Sequence, residues 1–142
     1  MKHFFVYGTL KQGMKNSHIM KKVSAVFIAN VETTQHYPMF DLGNGFPYVQ
    51  DAQGRGLILQ GELYAIEDEH ESFMDSFEGV PTLYKKGVID VEVENLLYED
   101  INCYFIADEL TDDELNDVDL FEEWTEPEST FDFDDYYKQY TK

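Results

Sequence analysis

Cysteine is nearly absent from this 142-residue chain, and long apolar runs and clustered basic residues are missing altogether. The single cysteine, Cys103, excludes an internal disulfide. It lies in the strand-like run Ile101 to Ile106 and reads as a buried, inert thiol, because no histidine motif accompanies it as a nucleophile would require. No apolar stretch approaches the roughly 20 residues of a membrane helix. The N-terminus also lacks the charged, apolar and small-residue order of a signal peptide, so a cytoplasmic location is expected.

Positive charge is scarce too. Ten Lys and Arg face 29 Asp and Glu, for a net charge of −19. Residues 108–142 hold 14 acidic and two basic residues, so −12 of that total sits in the last quarter of the chain. Without a basic cluster, neither nucleic acid nor an anionic membrane is an expected partner. His3, His36 and His70 show no metal-ligand spacing. The acidic run from Asp108 lacks the glycine that an EF-hand needs at its sixth position. Gly8 to Gly13 has the spacing of a phosphate loop but is followed by Met14 and Lys15 instead of Lys then Ser or Thr. No metal and no cofactor are expected.

The chain does contain 43% hydrophobic and 15% aromatic residues, enough for one domain with a sizeable core. Strands are predicted near 3–7, 24–35, 38–42, 46–50, 56–66, 86–95 and 101–106, separated by Gly, Pro and Asp turn signals. A short helix is predicted over Asp68 to Phe77 and ended by Gly79 and Pro81. Thr111-Asp-Asp-Glu114 is a capping box, and Leu115, Val118, Phe121 and Trp124 follow at helical spacing, which predicts a second helix. The organisation expected is a body over 1–107 and an acidic, aromatic extension over 108–142. Phe131, Phe133, Tyr136, Tyr137 and Tyr140 give that extension apolar groups to pack on the body or a partner, its acidic density is the alternative signal for partial disorder, and its charge fits a basic protein partner.

Two stretches carry chemistry. In FFVYGTLKQG the apolar strand stops at Gly8, where the amides of Gly8, Thr9 and Leu10 either form an anion-holding nest or make a tight turn that needs glycine for sterics. In FMDSFEGVPTLYKKG the carboxylate of Glu78 falls at a helix C-terminus, where the dipole is unfavourable to it. It reads either as a solvated side chain at a fraying end or as a group whose pKa is raised by dipole and burial into the range of a neutral-pH acid or base.

VYGTLKQG with Asn16 and His18 after it, YPMF at 37–40, GELY at 61–64 and FEGVPTLY at 77–84 resemble, in that order, the γ-glutamyl cyclotransferase superfamily. The nearest likeness is to its γ-glutamylamine cyclotransferase-like branch, over residues 3–106. The resemblance implies an α+β fold, a compact mixed β-sheet or small barrel flanked by short helices. It implies a cofactor-free reaction in which a small γ-glutamyl amide cyclises to 5-oxoproline and releases an amine. Glu78 becomes the general acid/base, and Tyr7, Gly8, Thr9 and Leu10 the substrate loop whose amides hold the α-carboxylate. Tyr84 matches the tyrosine after the glutamate, as a pocket hydroxyl or as a packed aromatic. Lys86 stands where many relatives carry arginine and is expected to contact substrate without a bidentate fork. His18 reads as a substrate contact or a structural hydrogen-bonding group. A non-catalytic binding module of the same fold, and an interaction protein acting through the acidic tail, are the alternatives from other classes.

Because residues 108–142 fall beyond the resembling stretch, a chain ended after Thr130 is expected to keep its turnover. A soluble, folded truncation without activity would put residues 131–140 in the active site.

Overall fold

The computed structural model describes residues 1–125. The expected α+β class is found: five strands close into a small barrel in the order β1-β5-β2-β6-β7. The strands are β1 (Lys2–Val6), β2 (Val26–Tyr37), β5 (Leu57–Ile66), β6 (Tyr84–Val93) and β7 (Leu96–Ile106), while β3 (Met39–Asp41) and β4 (Pro47–Val49) form a separate hairpin. Three short helices flank the sheet: α1 (His18–Lys22), α2 (Glu71–Phe77) and α3 (Asp112–Asn116). Neighbouring barrel strands run antiparallel, except that β1 and β7 meet parallel and close the ring at Phe4↔Asn102. Among the described residues no helix is long and apolar enough to cross a membrane.

The alternation within β1 divides the interior in two, because successive strand side chains point to opposite faces. Phe5 and Tyr7 join Val31, Leu59, Leu63, Val91, Cys103 and Phe105, a cluster made almost wholly of strand residues that fills the barrel. Phe4 and Val6 face outward into a second cluster with Tyr64, Ile66, Tyr84, Tyr104 and Ile106, which Met20 of α1, Met74 of α2 and Leu115 of α3 cover. The inner cluster is crowded at Gly61, where a Cβ would lie 2.5 Å from the Phe5 ring and 2.7 Å from the Val6 carbonyl oxygen.

All seven predicted strands are present, but β7 begins at Leu96 instead of near 101. Glu94 and Asn95 both adopt positive φ, the geometry of a two-residue hairpin turn, so Leu96 to Tyr98 pair at once with Val91 to Val93. The capping box of Thr111 and Glu114 is formed. Its helix, however, stops at Asn116, well short of the predicted stripe through Trp124. Its last turn holds no cation, and Asp117 and Asp119 follow where a helix disfavours carboxylates. The chain then binds the body directly: Phe121 N–H donates to the Met39 carbonyl, Gln60 N–H donates to the Glu122 carbonyl, and Trp124 is buried. Helix α1 had no sequence signal, since five residues are too few to show a helical period. The aromatic run from Phe131 to Tyr140 lies outside the described residues.

Gly61→Ala is expected to destabilise the fold by about 1–3 kcal/mol, the range for overpacking a dense core. Chemical denaturation measures this, and an unchanged midpoint would show that the Phe5 ring and the Val6 carbonyl can yield without cost.

Candidate active site

At one end of the barrel a cavity of about 200 Å³ opens between the loop after β1, the hairpin, the C-terminus of α2 and the start of β6. Tyr7, Gly8, Thr9, Leu10, Glu78 and Tyr84 all line it. Six of the eight residues singled out in the sequence therefore converge on one space, though Tyr7 and Tyr84 are 77 positions apart; His18 and Lys86 are not in its lining.

Gly8 meets a steric constraint. It is not among the residues with positive φ, and a Cβ there would sit 2.9 Å from Pro47 Cγ. Pro47 is in turn fixed from its other side, where the Tyr84 hydroxyl donates to its carbonyl at 3.1 Å and the Tyr84 ring stacks on Tyr48 at 5.6 Å. The turn after Gly8 closes with Lys11 N–H donating to the Gly8 carbonyl, and Asn16 ties down Thr9 through its backbone N–H (3.0 Å) and its Nδ2 on Thr9 Oγ1 (2.9 Å). The amides of Gly8, Thr9 and Leu10 donate to no carbonyl among the described residues.

Glu78 caps α2. Gly79 behind it has φ +69° and its N–H donates to the Ser76 carbonyl, while Val80 N–H donates to the Asp75 carbonyl, the paired bonds of a Schellman turn. The cap holds Glu78 over the cavity, half-buried, with no hydrogen-bond or ion-pair partner for its carboxyl among the described residues. Burial alone, without an offsetting cation, pushes its pKa up to about 7. Burial and then the Glu78 charge raise the Tyr84 phenol, and burial raises Tyr7 and Tyr104, so all three hydroxyls stay protonated donors near neutral pH. The Tyr7 hydroxyl donates to the Tyr104 carbonyl at 2.6 Å.

Lys86 is not brought to the cavity. Its ammonium donates to both Asp75 oxygens, at 2.9 and 3.1 Å, and lies 3.3 Å from Glu71 Oε2. Period-two alternation along β6 puts it on the same face as Tyr84 but one step beyond the wall. The lining includes residues that sequence reasoning passed over: Asn16, Phe46, Pro47, Phe77, Leu83 and Tyr104. Asn16 carried a signal, as a fixed polar residue after the loop; Tyr104 carried none, because its place depends on the pairing of β6 with β7.

The raised Glu78 pKa links the site to stability. Below about pH 4.5 the carboxyl is protonated whether the chain is folded or not; between there and about 7 the folded protein keeps a proton that the unfolded chain releases, so stability falls as pH rises. Glu78→Gln carries no such cost. Its melting temperature should exceed the wild type's most clearly at pH 8, with the difference vanishing near pH 4; a gap independent of pH would show that the carboxyl is not desolvated.

Residues 4–126 match the family model for gamma-glutamyl cyclotransferase, AIG2-like proteins. The chain is 36% identical over 93 residues to a gamma-glutamylaminecyclotransferase of Homo sapiens, a stretch covering 63% of this chain and 61% of that one. It is 34% identical over 97 residues to the protein of that name from Rattus norvegicus, covering 66% and 65%. The match thus spans just under two thirds of these relatives' length. The crystal structure of an AIG2-like protein from Mus musculus superposes with a TM-score of 0.79 at 27% identity, covering 88% of each chain. With the family model matched across nearly all the described residues, the chain belongs to the AIG2-like gamma-glutamyl cyclotransferase family.

Proposed function

We propose that this protein is a cyclotransferase that converts a γ-glutamyl amine or amide to 5-oxoproline and releases the amine, with Glu78 as general acid/base. The observation that carries the reading is a carboxyl with a pKa near 7 facing the same cavity as the Gly8 to Leu10 turn.

The substrate's α-carboxylate is held by the Gly8, Thr9 and Leu10 amides, main-chain donors that bind an anion even on a protein of net charge −19. Its γ-carbonyl then lies toward Glu78. The α-amino nitrogen gives a proton to the Glu78 carboxylate as it attacks the γ-carbonyl carbon. The tetrahedral centre collapses with cleavage of the bond to the leaving nitrogen, which takes the proton back from Glu78. Nothing is oxidised, and the proton ends on the product amine. Because nucleophile and electrophile belong to one molecule, the protein mainly has to hold a folded conformer, the situation in which effective molarities are largest. The pocket walls of Phe46, Phe77 and Leu83 exclude water from that conformer. Resemblance over 63–66% of the chain to proteins named gamma-glutamylaminecyclotransferase supports the same chemistry. A soluble, cytoplasmic protein acting on a small molecule is consistent with it, and the segment from 108 is a companion to the catalytic body.

Incubation with γ-glutamyl amines, γ-glutamyl amino acids and glutathione, assayed for 5-oxoproline, tests the reading. Turnover is expected with at least one class, and kcat/KM should rise with pH through about 7 as the base ionises. Folded Glu78→Gln should lose at least about 10²-fold, the lower end for a general base. Near wild-type production of 5-oxoproline by that variant removes Glu78 from the mechanism. No product from any substrate leaves the non-catalytic binding module as the better account.

A further inference from the structure

Helix α2 has only seven residues and buries only Met74, yet its C-terminus holds the functional carboxyl. Its position on the barrel therefore depends on polar ties. Asp75 accepts from Lys86 Nζ on both oxygens and from the Tyr104 hydroxyl at 2.7 Å. Glu71, one turn earlier, accepts from Lys2 at 2.9 Å and lies beside the same Lys86 ammonium. Lys86 and Tyr104 face each other across the β6–β7 pair, so one rung of the barrel supplies both donors to Asp75. Asp75 also gives its main-chain carbonyl to Val80 N–H in the turn that sets Glu78 and Gly79. One residue thus joins the barrel rung to the cap.

We propose that Lys86 is a positioning residue: by holding Asp75 it fixes the C-terminal end of α2, and with it the place of the Glu78 carboxyl over the cavity, without touching substrate. The inference rests on the cyclotransferase reading and extends it to a residue outside the pocket. A substrate-binding Lys86 would need its ammonium in the cavity, whereas here both of its carboxylate partners lie on α2. Asp75 and Lys86 are both only partly exposed, so their contact is screened less than a surface pair.

The test compares Lys86→Met, Lys86→Arg and Asp75→Asn with wild type on a substrate that yields 5-oxoproline. Misplacing a reacting group by about 1 Å costs on the order of 10²-fold, so Lys86→Met should lower kcat by about 10-fold to 10²-fold with KM changed less than about 3-fold. Lys86→Arg, which still offers donors to a carboxylate, should recover much of that kcat. Asp75→Asn should lose a similar amount, and adding Lys86→Met to it should cost little more, as for residues acting through one contact. A raised KM at intact kcat overturns the proposal in favour of substrate contact. A lower melting temperature with unchanged kcat, or additive losses in the double variant, overturns it in favour of a purely structural tie. Should Lys86→Met fail to fold, the kcat and KM of Asp75→Asn and the recovery by Lys86→Arg decide between the same outcomes. A wild-type protein that forms no 5-oxoproline, or an active Glu78→Gln, is the separate failure of the cyclotransferase reading, and the positioning role falls with it.

Discussion

Everything at the mouth of this barrel depends on the parallel contact that joins β1 to β7. It is a slender junction. Phe4 pairs with Asn102, the Asn102 amide donates to the His3 carbonyl at 3.1 Å, and the Tyr7 hydroxyl donates to the Tyr104 carbonyl at 2.6 Å. Phe4 and Tyr104 stack with ring centroids 5.8 Å apart, which reinforces the seam on its outer side. Closing the ring there brings the first ten residues against the last strand. The loop after β1 then meets α2 and the start of β6, and the cavity is the space left between them. Without the seam β1 would be an edge strand, and its loop would have no wall opposite.

The strands were readable because apolar alternation and glycine-rich turns are local properties, and the barrel interior follows directly from the alternation of Phe4, Phe5, Val6 and Tyr7. Glu78 was readable for a similar reason: a carboxylate between a helix and a glycine breaks a local rule. Its pKa, however, is raised by burial, a tertiary quantity; the dipole of a seven-residue helix is not needed to account for it. Gly8 was identified with two reasons attached, and its steric constraint comes from a proline 39 positions away that the sequence gives no means of placing. Lys86 illustrates the limit. Its face of β6 followed from its spacing to Tyr84, but which charge would meet it depended on where α2 comes to rest. Glu71 and Asp75, four apart and so on one helical face, were the signal that a lysine should face that helix.

Electrostatics at the site run against the protein as a whole. The chain is strongly acidic, yet Glu78 in the cavity wall has no cation beside it among the described residues, and Lys86, the β6 lysine on the same face as Tyr84, is held by other carboxylates. That division leaves Glu78 without a neighbouring cation to lower its pKa, among the described residues. A lysine released into the cavity would lower the carboxyl's pKa, so the contact of Lys86 with Asp75 also keeps the proton affinity of Glu78 high.

The Schellman turn at Gly79 has a consequence for how the molecule opens. Helix α2 is anchored by one buried methionine, a few charged contacts and this turn, whereas the barrel is held by continuous strand pairing and two apolar clusters. The two therefore need not come apart together, and local opening of α2 is expected at a lower free-energy cost than melting of the barrel. In such a state the fold would look intact by its β-sheet signature while the carboxyl had left its place. Heat, salt and acid would then displace Glu78 before they unfold the barrel.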